Sequence, residues 1–142
     1  MPEFTQSLSV GHIIENDVLQ IIRRKYPCAV RLENKFSGYD IFIPEIEKRI
    51  EVKSDQKSQY TGNILIEFEM NGRASGIMTT KADFWVFFDG EQYRVIEPRH
   101  IIDCIFKSRQ VYHEITGNGD TKTKKAFLIR KNELFKYGKE LK

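Results

Sequence analysis

The hydrophobic period changes several times along the chain, and each change marks an element. Val10, Ile14, Val18 and Ile21 recur three or four residues apart, with Leu19 and Ile22 beside them, which predicts an amphipathic helix over 10–25. Ser9 stands before it as an N-cap, and Tyr26-Pro27 ends it, because the residue before proline disfavours helical angles. The period then falls to two. Residues 28–33 read as a strand and 34–38 as a turn. Residues 39–43 and 48–53 alternate as a hairpin interrupted at Pro44. With the turn centred between Glu45 and Ile46, paired residue numbers sum to ninety-one. Ile41 then faces Ile50 and Tyr39 faces Val52, building one apolar face. On the other face Asp40 falls opposite Glu51, with Lys53 two residues further on. Residues 53–62 form a polar loop, with Asp55 and Gln56 read as solvated, and 63–70 a strand in which Ile64, Ile66 and Phe68 share a face.

The pattern continues with a turn at 71–73, a short helix over 74–82 and an almost wholly apolar strand over 83–88. A strand of that kind is buried on both faces. Asp89-Gly90 is a hairpin turn signal leading into a returning strand at 92–96. Pro98 suits the first turn of a helix running to about Lys107. Residues 117–125 are a polar loop, 126–130 a short edge strand, and 132–137 a last helical turn or two ending at Gly138. This order predicts one mixed α/β domain over 1–142, a mixed central sheet flanked by helices, with a core of about 10–96 and an extension over 97–142.

Composition narrows the class. At 142 residues, 40% hydrophobic and 30% charged, the chain is long enough for one real core. Its apolar runs are too short to span a bilayer and no signal peptide is visible. With Cys28 and Cys104 unpaired by any motif, a reduced cytoplasmic setting is expected. The net charge of +3 is unevenly placed: residues 1–96 carry 12 Lys/Arg against 14 Asp/Glu, while 97–142 carry 11 against 6. A basic third beside an earlier acidic cluster suits a polyanionic partner. No zinc spacing, Walker A, G-x-S-x-G or G-x-G-x-x-G pattern points to other chemistry or to a small-molecule cofactor.

Two like charges directly opposed on a hairpin are destabilising, and a cation between Asp40 and Glu51 removes that cost. Both are hard oxygen ligands suited to Mg²⁺ or Mn²⁺. Lys53, on the same strand face as Glu51, can orient or help deprotonate an attacking water. Asp40 followed by Glu51-Val52-Lys53 on an adjacent strand resembles the PD-(D/E)XK nuclease superfamily of restriction-endonuclease-like and Holliday-junction-resolvase-like enzymes. Tyr39 stands where the proline of that motif usually precedes the aspartate. The resemblance covers residues 10–88. It implies an αβββαβ core, the Val52 carbonyl as a further metal ligand, and Glu15 on the first helix as an additional acidic residue that binds a second metal or orients a ligand water.

The expectation is therefore a Mg²⁺-dependent DNA endonuclease serving recombination or repair. The small size favours a structure-selective, resolvase-like enzyme acting as a homodimer on branched DNA. The alternatives are a restriction- or repair-type nuclease, or a non-catalytic nucleic-acid-binding module. Lys57, Arg73, Lys122, Lys124, Lys125, Arg130 and Lys131 are the candidate phosphate contacts, giving affinity without much sequence information.

Overall fold

Helix α1 (Pro2–Arg23) starts well before the apolar stripe that announces it, so Ser9 lies inside the helix and is not its cap. Pro2 is compatible with a first helical turn, where its missing N–H costs nothing. In its second half Ile14, Val18, Leu19 and Ile22 are buried, whereas Val10 is exposed. The computed structural model describes residues 2–33, 38–108, 111–116 and 122–142.

Strands β1 (Val30–Arg31), β2 (Ile41–Ile43) and β3 (Lys48–Ser54) form an antiparallel meander, and the β2–β3 pairing has the ninety-one register. The chain then passes through a helical turn, α2 (Ser58–Thr61). It continues into β4 (Asn63–Met70), β5 (Arg73–Ala74) and a 3₁₀ turn (Gly76–Met78), and returns as β6 (Phe84–Phe88). Strand β6 pairs parallel to β3, and β7 (Tyr93–Ile96) folds back along it. Helix α3 (Pro98–Ser108), β8 (Tyr112–Thr116), β9 (Thr123–Arg130), α4 (Lys131–Phe135) and β10 (Lys139–Glu140) complete the described chain.

These strands make two sheets where one was expected. The first has the order β1-β2-β3-β6-β7-β10 and is mixed; the second has the order β5-β4-β9-β8 and is antiparallel. The expected helix over 74–82 is only the two-residue β5 and the 3₁₀ turn. Gly76 sits at φ +53, and a Cβ there would fall 2.1 Å from the Glu67 carbonyl oxygen. The turn therefore lies directly on β4, with no room for a regular helix. The β3–β6 crossover is made through the second sheet instead of a helix, although a helix is the usual carrier of a parallel connection.

Residues 126–130 belong to an inner strand, not an edge one, since β9 pairs with both β4 and β8. The loop expected at 117–125 overlaps the start of β9 at Thr123, and residues 117–121 lie outside the described residues. So do 34–37, within the expected turn.

Two apolar clusters hold the layers. Val18, Leu19 and Ile22 of α1 pack on Ile41, Ile43, Ile50 and Val86, covering one face of the mixed sheet. On the other face Trp85, Phe87 and Ile96 meet Ile64, Ile66 and Ile129 of the second sheet, closed by Ile101 and Cys104 of α3 and by Leu134 and Phe135 of α4. Each such buried side chain contributes about 1.5–3 kcal/mol relative to exposure. Strand β6 lies between both clusters, which accounts for its nearly continuous apolar sequence. No helix among the described residues is long and apolar enough to cross a membrane.

Candidate active site

The site begins at a slip in the hairpin. The ladder from Ile43 to Ile41 ends because the Asp40 N–H donates to the Ile50 carbonyl at 2.8 Å. Asp40 and Ile41 thus share one partner, as in a β-bulge. The expected pairs Asp40–Glu51 and Tyr39–Val52 do not form. A one-residue slip exchanges faces, and Tyr39 accordingly packs against the cluster between the sheets, while Val52 packs toward α1.

The Asp40 carboxylate does what a strand carbonyl would otherwise do, accepting the Val52 N–H at 2.7 Å through Oδ2. The N–H and C=O of one strand residue point to the same side, so the Val52 carbonyl also faces the β2 side, beyond the end of the ladder.

The slip also brings Asp40 to Glu15 on α1, with which it shares a side-chain hydrogen bond. Glu15 is ion-paired with Arg31 of β1 at 3.6 Å. Its pKa is pushed up to about 7, by burial first and then by the charge and hydrogen bond of Asp40; Glu51 adds to this and Arg31 opposes it. Burial raises Glu51 as well, with Asp40 adding to the effect and Lys53 acting against it. Lys53 Nζ lies 3.2 Å from Glu51 Oε1 and 5.1 Å from the centre of the Trp85 ring. Three carboxyl groups therefore meet two cations, Arg31 and Lys53, and Glu15 answers the crowding by taking up a proton near neutral pH.

Among the described residues no three His, Cys, Asp or Glu side chains are grouped so as to hold a metal ion by themselves. Asp40, Glu51 and the Val52 carbonyl form a smaller, oxygen-only donor set. It fits Mg²⁺ or Mn²⁺, which bind through one or two carboxylates and keep several waters. A cation at the same place would relieve the crowding of carboxylates that raises Glu15 and Glu51.

The other candidates scatter. Lys57 borders a cleft that opens beside Lys53, and Arg73 is exposed on β5. Lys124 pairs with Glu67 at 3.7 Å and Lys125 with Glu69 at 3.1 Å, across the β4–β9 ladder. Lys122 is exposed just before β9, and Arg130 lines a shallow pocket with Asn132 and Glu133. Lys131 is bound to the buried carboxylate of Asp89 at 3.0 Å. Asp55, read from sequence as a solvated loop residue, accepts the Leu65 N–H at 3.0 Å and ties the two sheets together. Asp83 pairs with the Arg49 backbone at the start of β6.

Arg31 and Trp85 escaped the sequence reading. Trp85 lies beside Glu51 only because β3 and β6 run parallel in that register, and its indole N–H is held by Thr80 Oγ1 at 2.9 Å. Arg31 reaches Glu15 only once β1 is laid against β2 and α1; no local spacing announces either contact. No family model, curated protein or solved structure matches this chain.

Proposed function

We propose that this protein is a metal-dependent DNA endonuclease of restriction-endonuclease-like fold, structure-selective and resolvase-like, working as a homodimer. The observation that carries the reading is the convergence of Asp40, Glu15 and Glu51 at the end of the β2–β3 ladder, with Lys53 fixed between Glu51 and Trp85.

Hydrolysis of a phosphodiester needs positive charge on the phosphoryl oxygens and a positioned water. Asp40, Glu51 and the Val52 carbonyl would hold a Mg²⁺ or Mn²⁺ ion, which would supply that charge and help activate a water. The protein groups do the rest. Asp40 is held by the Val52 N–H, so its carboxylate is oriented before any ligand arrives. Glu15 hydrogen-bonds to Asp40 and can hold a water or a second ion. Lys53 presents ammonium donors, steadied by one carboxylate and one aromatic face, to the attacking water and the phosphate. Two symmetric cuts in branched DNA require two copies of the site, hence the homodimer.

The test is incubation with labelled four-way junction, flap, linear duplex and single strand, each with Mg²⁺, Mn²⁺ or EDTA. Metal-dependent cleavage that is lost in Lys53→Ala and Asp40→Asn is expected. If every substrate survives with either metal, the enzymatic reading fails. Mn²⁺ binding by calorimetry that persists unchanged in Asp40→Asn would remove the proposed metal site.

A further inference from the structure

Beside Lys53 a cleft of about 440 Å³ opens between the end of β3 with the α2 turn on one side and the β4–β9–β8 sheet on the other. Its floor is apolar: Leu65, still 40% exposed, is the cross-strand partner of Leu128, and Ile115 lies further along the same sheet. Open leucines on a sheet surface next to catalytic polar groups are unusual for a purely phosphate-binding groove.

Positive charge is confined to the rim, at Lys53 and Lys57. Lys57 has no ion-pair partner among the described residues. The two acids of the cleft are already engaged, Asp55 by the Leu65 N–H and Glu67 by Ser75 Oγ and Lys124. Tyr60, 90% exposed, stands on the same helical turn as Lys57 and Thr61, both of which line the cleft.

A flat apolar body carrying an anion is what this combination fits, and the volume is in the range of about 300–1,000 Å³ that holds one small ligand. We propose that the cleft takes one unpaired nucleotide of a DNA strand, its base on the Leu65–Leu128 floor and its phosphate at Lys53 and Lys57, with the neighbouring base stacked on Tyr60. A base inside an intact duplex is stacked and paired and cannot offer its face to a protein surface; it must be unpaired or extruded to do so. The substrate therefore presents an unpaired or readily extruded nucleotide next to the cut. This deepens the nuclease reading and rests on it for the cut, though not for the binding.

Fluorescence anisotropy in EDTA, with a short labelled single strand and the duplex of equal length, separates the two. The single strand is expected to bind about tenfold more tightly or better. Tyr60→Ala, a change at an exposed ring that leaves the fold intact, is expected to weaken single-strand binding about fivefold or more and duplex binding hardly at all. Leu65→Glu is expected to erase the preference. Equal affinity for both forms, or a preference untouched by both substitutions, overturns the inference. If duplex is cut with Mn²⁺ and no preference exists, the cleft inference falls while the nuclease stands. If the preference exists and no DNA is cut with either metal, the nuclease reading falls and the binding inference stands.

Discussion

Two carboxylate sites lie toward the same C-terminal ends of the parallel strands β3 and β6, and they are built on opposite terms. Asp89, just past β6, is 0% exposed, and each of its oxygens has a partner, although Oδ2 is held by charge and not by a well-aligned hydrogen bond. Its Oδ1 accepts the Glu91 and Gln92 N–H groups at 2.9 Å each, and its Oδ2 meets Lys131 at 3.0 Å. Burial alone would raise its pKa, but these bonds outweigh it and hold the group below the usual carboxylate value. Asp40, Glu15 and Glu51 are less buried but poorly answered, and burial with mutual repulsion pushes Glu15 up to about 7. A buried acid with a partner at each oxygen stabilises a fold; acids crowded together cost stability and mark a candidate site.

Breaking the satisfied site has the largest effect. Asp89→Ala removes the acceptor of two backbone N–H groups and leaves the Lys131 ammonium without its partner. Stripping one partner from a buried pair costs about 3–5 kcal/mol, so the urea midpoint should fall sharply. A shift within about 1 kcal/mol of the parent would mean that Asp89 is solvated rather than structural. Asp40→Asn inverts the outcome. Asn keeps an oxygen for the Val52 N–H, so the midpoint stays within about 1 kcal/mol, while metal-dependent cleavage falls about a hundredfold or more. Loss of fold together with activity would make Asp40 a structural residue like Asp89.

Glu15→Gln sharpens the contrast further. It removes a repelled charge and keeps a hydrogen-bonding group facing Asp40. In EDTA the variant should be more stable than the parent by about 0.5–2 kcal/mol, read from the thermal or urea midpoint. Destabilisation would mean that the Arg31 ion pair outweighs the repulsion, and that the crowding of carboxylates gives no push toward a bound cation.

What could be read from sequence follows the range of the interactions. The hairpin register was legible because Ile41, Ile43 and Ile50 alternate around a fixed turn, and β6 because it is apolar throughout. The slip at Asp40 was not, because it depends on a carboxylate replacing a backbone acceptor, a choice that no side-chain periodicity records. As a result the residues Asp40, Glu15 and Glu51 could be named, but the geometry joining them differs: Asp40 turns to the helix instead of facing Glu51. The second sheet was misjudged for a related reason. Thr123, Lys124 and Lys125 look like solvated loop until Glu67 and Glu69 are laid beside them, and that pairing is set by chain closure over about fifty residues. Lys131 counted as a free phosphate contact for the same reason; its partner, Asp89, is distant in sequence and invisible to local pattern.

The last effect expected is the pH dependence of the metal-free protein, and its sign differs between the two sites. The folded-state pKa of Asp89 is depressed, so its contribution is fully present above the usual value of 3.8 and is lost as pH falls through the folded value. The folded-state pKa of Glu15 is raised from 4.5 to about 7. Between those values the folded protein holds a proton that the unfolded chain has released, so stability declines as pH rises across that window. Urea midpoints taken in EDTA from pH 5 to 8 should therefore slope downward in the parent and flatten in Glu15→Gln. The same slope in both proteins would assign the titration to another group and leave the Asp40–Glu15 contact without the repulsion attributed to it.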